Sequence, residues 1–75
     1  MAEDVEALLR GESELRELRR RMADWRGIEE LPPRLRAAVK YYIETGRIRA
    51  SSRLAGLPLA EFREVLRRVG VPVVS

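Results

Sequence analysis

Apolar residues recur along this chain at helical spacing in three separate stretches. From Leu59 they fall at Leu59, Phe62, Leu66 and Val69, with Val65 widening the stripe, while Glu61, Arg63, Glu64, Arg67 and Arg68 take the opposite face. Gly70 and Pro72 end that helix, because glycine accepts a left-handed cap and proline cannot continue the turn. Earlier, Pro32 and Pro33 open a helix that runs to about Thr45. Leu35, Ala38, Val39 and Tyr42 share its apolar face, Ile43 lies beside them and Tyr41 points away. Gly46 is its stop, and Ile48 can fold back on the last turn.

The first stretch, from about Ala2 to Trp25, carries Leu8, Leu15, Leu18, Met22 and Trp25 at alternating heptad positions. Gly11 stands where another apolar residue belongs, at a cost of about 1 kcal/mol relative to Ala inside a helix. Ser13 could cap a fresh helix, so the segment reads as one helix weak at Gly11 or as two helices. Glu12 with Arg16, and Glu17 with Arg21, have the spacing of helix-surface ion pairs. A stripe on so short a chain has little core to cover, which favours burial between molecules: a dimer seam or a partner-binding helix. Gly27 to Leu31 reads as a connection.

Between Gly46 and Gly70 the pattern predicts a helix-turn-helix. Leu54 and Ala55 close a short helix, Gly56 takes the turn and Pro58 opens the next helix. Ser51 departs from the pattern, standing where an apolar residue is more common. In such a motif the first turn of the second helix meets base edges, which nominates Leu59, Ala60 and Arg63. Arg47, Arg49 and Arg53 would lie beside phosphates, the Ser51 and Ser52 hydroxyls could bond phosphate oxygens, and Arg67 could reach either. The closing Val71, Pro72, Val73 and Val74 suit a short extended tail, and a lone strand must pair with another chain or fray.

Composition narrows the function classes. Seventy-five residues amount to one small domain with a marginal core, and without cysteine no disulfide can reinforce it. No histidine and no metal-ligand cluster are present, and each carboxylate is explained by helix-surface pairing, so the reading is a non-enzyme with no cofactor and no metal. No apolar run approaches a membrane span or a signal peptide, so a cytoplasmic protein is expected, with no membrane partner. The net charge of +3 is unevenly spread: residues 1–30 hold six Arg against nine acidic residues, residues 31–75 eight Arg and Lys40 against three Glu. The basic half therefore coincides with the helix-turn-helix, as attraction to double-stranded DNA requires.

The stretch LPPRLRAAVKYYIETGRIRASSRLAGLPLAEFREVLRRVGVPVV resembles a family of small archaeal and bacterial proteins regarded as antitoxins of toxin–antitoxin pairs. Leu31-Pro32, Tyr42, Gly46-Arg47-Ile48, Leu54-Ala55-Gly56-Leu57, Glu61-Phe62 and Gly70-Val71-Pro72 carry the resemblance. Ser51 and Ser52 replace a pair of alanines, Pro58 replaces a capping serine, and the link back to Gly46 is about two residues shorter than in the family pattern. The acidic N-terminal helix is not part of that pattern. The resemblance implies a regulator that represses its own operon and neutralises a toxin such as a PIN-domain ribonuclease. It also implies that an Arg can enter the toxin's carboxylate cluster; Arg19, Arg20, Arg21 and Arg26 are the candidates here.

The expected architecture is all-α, three to four helices with a C-terminal helix-turn-helix, forming a homodimer. Residues 1–30 would be the amphipathic dimerisation or partner-binding segment and residues 31–75 the helix-turn-helix domain. The competing reading is a protein-interaction module that keeps the helical hairpin and touches no DNA. Glu61 and Glu64 on the exposed face favour it, since carboxylates repel phosphates.

Overall fold

The structure is a computed structural model that describes the backbone of residues 2–73 and the side chains of residues 11–73. It is all-helical, with no strand among the described residues: α1 (Ala2–Met22), α2 (Trp25–Glu29), α3 (Pro33–Thr45), α4 (Ile48–Ala55) and α5 (Leu59–Arg68). Helix α3 is the centre, packed by α1, α2 and α4, with α5 resting on α4. One apolar cluster joins Ile28 of α2, Ala38, Val39, Tyr42 and Ile43 of α3, Ala55 of α4, and Phe62 and Leu66 of α5.

Of the two readings of the first stretch, the single helix is found: α1 is continuous through Gly11, and Ser13 begins no second helix. Other expectations about the elements change. Helix α1 stops at Met22, short of Trp25, which instead opens the short α2 where a plain connection was expected. Asp24 explains that start: its side chain accepts a hydrogen bond from Gly27 N at 3.1 Å, capping α2. The expected ion pairs Glu12–Arg16 and Glu17–Arg21 do not form among the described residues. Arg16 Nε donates instead to Glu44 O of α3 at 2.9 Å, and Glu12 accepts from Arg19 of its own helix at 3.1 Å.

The C-terminal stripe is buried as its spacing predicts, with Phe62 and Leu66 fully covered and Val69 nearly so, but Leu59 stays half-exposed outside the cluster. Past α5 the chain turns at Gly70 (φ 72°), and Val71 N donates to Leu66 O at 2.9 Å while Gly70 N donates to Arg67 O at 3.1 Å. Asp24 N donates to Val69 O at 2.8 Å, which brings the α1–α2 link against the end of α5. A Cβ on Gly70 would stand 2.9 Å from the Met22 carbonyl oxygen, so both the positive φ and the close approach require glycine. This closure carries Val71 into the core at 3 % exposure, so it packs within its own chain; Val74 lies outside the described residues.

Among the described residues Arg19 is the one charged residue in the interior, at 4 % exposure. Its Nε donates to Ile43 O at 2.8 Å, at the carbonyl end of α3, and its guanidinium stands 5.6 Å from the centre of the Tyr42 ring. The Tyr42 ring in turn meets Phe62 edge-on, centroids 6.5 Å apart at 81°. Arg19, Tyr42 and Phe62 thus form a column through α1, α3 and α5.

Phe62 has no exposed surface and sits at the foot of this column. Phe62→Ala is expected to cost about 3–5 kcal/mol, enough to unfold so small a domain. Thermal unfolding followed by circular dichroism checks it; an unchanged midpoint would overturn the packing described.

Candidate nucleic-acid interface

Helices α4 and α5 are joined by the three residues Gly56, Leu57 and Pro58. Gly56 (φ 71°) is left-handed, Leu57 N donates to Ser52 O and Gly56 N to Arg53 O, both at 3.1 Å. That pairing satisfies the last carbonyls of α4 and makes a tight, hydrogen-bonded turn. Arg34 of α3 closes the turn from outside: its Nε donates to Leu54 O at 2.9 Å, and its guanidinium lies where a Cβ on Gly56 would come within 3.0 Å. Pro58 occupies the cap position of α5 and offers no side-chain cap bond.

On this scaffold Arg47, Arg49, Arg53, Ala60 and Arg63 are exposed, and Leu59 is half-exposed. Arg49 and Arg53 are four apart on α4, Arg63 and Arg67 four apart on α5, so each pair shares a helix face. Arg47, Arg49, Arg53 and Arg63 form no ion pair among the described residues. Arg67 does, donating to Glu64 Oε2 at 2.7 Å. That bond holds the Glu64 carboxyl below its ordinary range.

Ser51 and Ser52 do not join this surface. Ser51 is fully buried and its Oγ donates to Arg47 O at 2.6 Å; Ser52 is 6 % exposed and its Oγ donates to Arg49 O at 2.9 Å. Both hydroxyls bond back into α4, as serine does when a helix turns it inward. They are the small core residues of the hairpin, and phosphate cannot reach them. The position where an apolar residue is more common is therefore buried here too, with the serine hydroxyl satisfied internally.

The four candidate arginines near the end of α1 separate in the same way. Arg19 is buried and held by Ile43 O and Glu12, so it cannot enter another protein's carboxylate cluster. Arg20 pairs with Glu44 through both Nε (3.0 Å) and a terminal nitrogen (2.5 Å). Arg21 and Arg26 are exposed with no ion pair among the described residues.

Two features of the surface were missed by sequence reasoning. Arg34 gives no signal in the sequence, since its partner is a backbone carbonyl 20 positions away. The tail borders the second helix, where Arg63, Glu64, Arg67, Val71, Pro72 and Val73 line a shallow groove of about 320 Å³. Leu54, 48 % exposed, adds an apolar spot beside Arg53. Among the described residues no group of three or more His, Cys, Asp or Glu is placed to hold a metal ion, and no helix is long and apolar enough to cross a membrane. No family model, curated protein or solved structure matches this chain.

Ser51→Ala is expected to change the unfolding free energy by no more than about 1 kcal/mol, because the Arg47 carbonyl keeps its backbone bond from Ser51 N. Chemical denaturation measures this; a loss of several kcal/mol would mean that the hydroxyl holds more than its own helix. The Arg20 hydrogen bond also lowers the Glu44 carboxyl below its ordinary value. A carboxyl depressed on folding stabilises the fold above its unfolded-state value and loses that contribution as pH falls through the depressed one. Both side chains are about half exposed, so the contribution is below about 1 kcal/mol. Acidification should therefore lower the melting temperature slightly more in the unmodified protein than in Glu44→Gln; parallel curves would refute the coupling.

Proposed function

We propose that this protein is a DNA-binding transcriptional regulator of the antitoxin kind, with α4 and α5 acting as a helix-turn-helix. The observation that carries the reading is the set of exposed arginines, Arg47, Arg49, Arg53 and Arg63, without carboxylate partners among the described residues, on two helices joined by a tight glycine turn. Unpaired guanidinium groups release no internal ion pair when they meet phosphate, so their attraction to a duplex is undiminished. In the first turn of α5 the exposed Ala60 is small enough to let that helix approach a groove, and the half-exposed Leu59 beside it offers an apolar contact. The resemblance to antitoxins adds the second half of the reading: repression of its own operon and neutralisation of a toxin, a PIN-domain ribonuclease among them. Arg26, exposed and outside the α1 groove, is the residue left to address such a toxin's carboxylates. In this reading the protein is not an enzyme and works in the cytoplasm as a homodimer.

A second reading, an interaction module without DNA contact, is favoured by the Glu64–Arg67 pair and by the exposed Glu61 on the same helix. Those carboxylates would repel phosphate and suit a protein surface of mixed charge.

Fluorescence anisotropy with the duplex upstream of the gene and a scrambled duplex, at several salt concentrations, separates the two. Arg53→Ala is expected to weaken binding to both duplexes evenly and to flatten the slope of log affinity against log salt by about one unit. Arg63→Ala should reduce discrimination between the duplexes by roughly 1–3 kcal/mol, and Ser51→Ala should change neither. No binding to either duplex at low salt would refute the regulator and leave the interaction module.

A further inference from the structure

We propose that the open face of α1 receives a second copy of this chain, the two α1 helices lying antiparallel about a twofold axis that crosses them between Leu15 and Leu18. This deepens the dimer of the proposed function and is independent of DNA contact.

The face is unpartnered within the chain. Leu15 is half-buried, Leu18 is 37 % and Met22 54 % exposed, and none of them joins the core cluster. Glu14, Leu15, Glu17, Leu18 and Arg21 line an open groove of about 330 Å³ along it. Gly11, Leu15, Leu18 and Met22 follow one another at spacings of four, three and four, which is one coiled-coil seam.

Two independent complementarities select a second copy and its direction. The first is shape. Gly11 is an interior helix glycine that nothing in the chain requires, since a Cβ there would meet no atom within 4 Å. Gly11 and Met22 lie equally far from the point midway between Leu15 and Leu18, on opposite sides. An antiparallel twofold through that point sets Leu15 against Leu18 of the other copy. It also sets the protruding Met22 over the gap at Gly11. A parallel pair would set Met22 on Met22 and leave two gaps facing each other. The second is charge. Glu14 and Arg21 both border the groove and are one heptad apart. In the antiparallel arrangement each Glu14 comes about two residues, roughly 3 Å of helix rise, from Arg21 of the other copy. In the parallel one each Glu14 would instead face the position of Arg19 of the other copy, which is buried and held within its own chain. An isologous interface must be self-complementary in this way, with each contact occurring twice.

The chain has no cysteine, so placed cysteines report the arrangement without background. Gly11→Cys and Met22→Cys proteins, one carrying a mass tag, are mixed under mild oxidation after circular dichroism confirms that both are folded. The mixed disulfide is expected in large excess over either homotypic product. In sedimentation equilibrium Glu14→Arg and Arg21→Glu should each raise the dimer dissociation constant about tenfold, and the double exchange should restore it. Homotypic cross-links, or a double exchange no better than the singles, would overturn the antiparallel register while leaving a dimer standing. A monomer at tens of micromolar would overturn the dimer as well, without bearing on DNA binding.

Discussion

The structure depends on a buried cation. Burying a guanidinium is costly unless its donors are bonded, and Arg19 is covered while keeping Ile43 O, Glu12 and the Tyr42 ring as partners. The carbonyl end of α3 carries partial negative charge, so it is a favourable place for a fixed positive group. The same guanidinium lies over Gly46, where a Cβ would come within 3.2 Å of it. One side chain therefore docks α1, closes the end of α3 and, through Tyr42 against Phe62, meets the residue that anchors α5. With 75 residues and no disulfide, a fold of this size has few other long-range ties.

Arginine recurs at helix ends throughout the fold. Arg34 bonds Leu54 O beside Gly56 at the close of α4, and Arg16 bonds Glu44 O near the close of α3. Each supplies a donor where a helix leaves carbonyls unpaired. This sorting matters for any functional reading, because net charge counts all basic residues alike. Arg16, Arg19 and Arg34 are committed to backbone, and Arg20, Arg36, Lys40 and Arg67 to carboxylates. Arg21, Arg26, Arg47, Arg49, Arg53, Arg63 and Arg68 remain exposed without an ion pair among the described residues, and four of them, Arg47, Arg49, Arg53 and Arg63, lie on or beside α4 and on α5 near the turn that joins them. The surface charge that could meet phosphate is smaller than the composition suggests.

Periodicity made most of the fold legible. The stripes of α3 and α5 bury as spaced, and Gly46, Gly56 and Gly70 end three helices as glycine does at left-handed caps. What sequence could not show was decided by partners distant in the chain. Arg19 has the spacing of a surface residue, and only the arrival of α3 buries it. Ser51 and Ser52 looked like phosphate ligands because hydroxyls are polar, yet their bonds are to carbonyls three and four residues back, which hydropathy does not register. Asp24 could have been found, since Asp three residues before Gly27 has the spacing of a cap, but the heptad stripe drew the helix past it to Trp25.

The exposed stripe of α1 bears on stability as well as on partners. Leu18, Met22 and Trp25 leave apolar surface in water, although the Trp25 indole N–H donates to Arg20 O at 3.0 Å and fixes its ring against the end of α1. At about 25 cal/mol per Å², covering such side chains supplies free energy on the scale of a small domain's total stability. A dimer through this face would therefore add to folding stability by mass action. It would also present two α4–α5 pairs related by a twofold axis, the symmetry that a palindromic duplex site shares. In the proposed assembly, then, the groove on α1 and the arginines of α4 and α5 are parts of one design. Such a seam would stabilise a small fold and set the spacing at which its two basic surfaces act together.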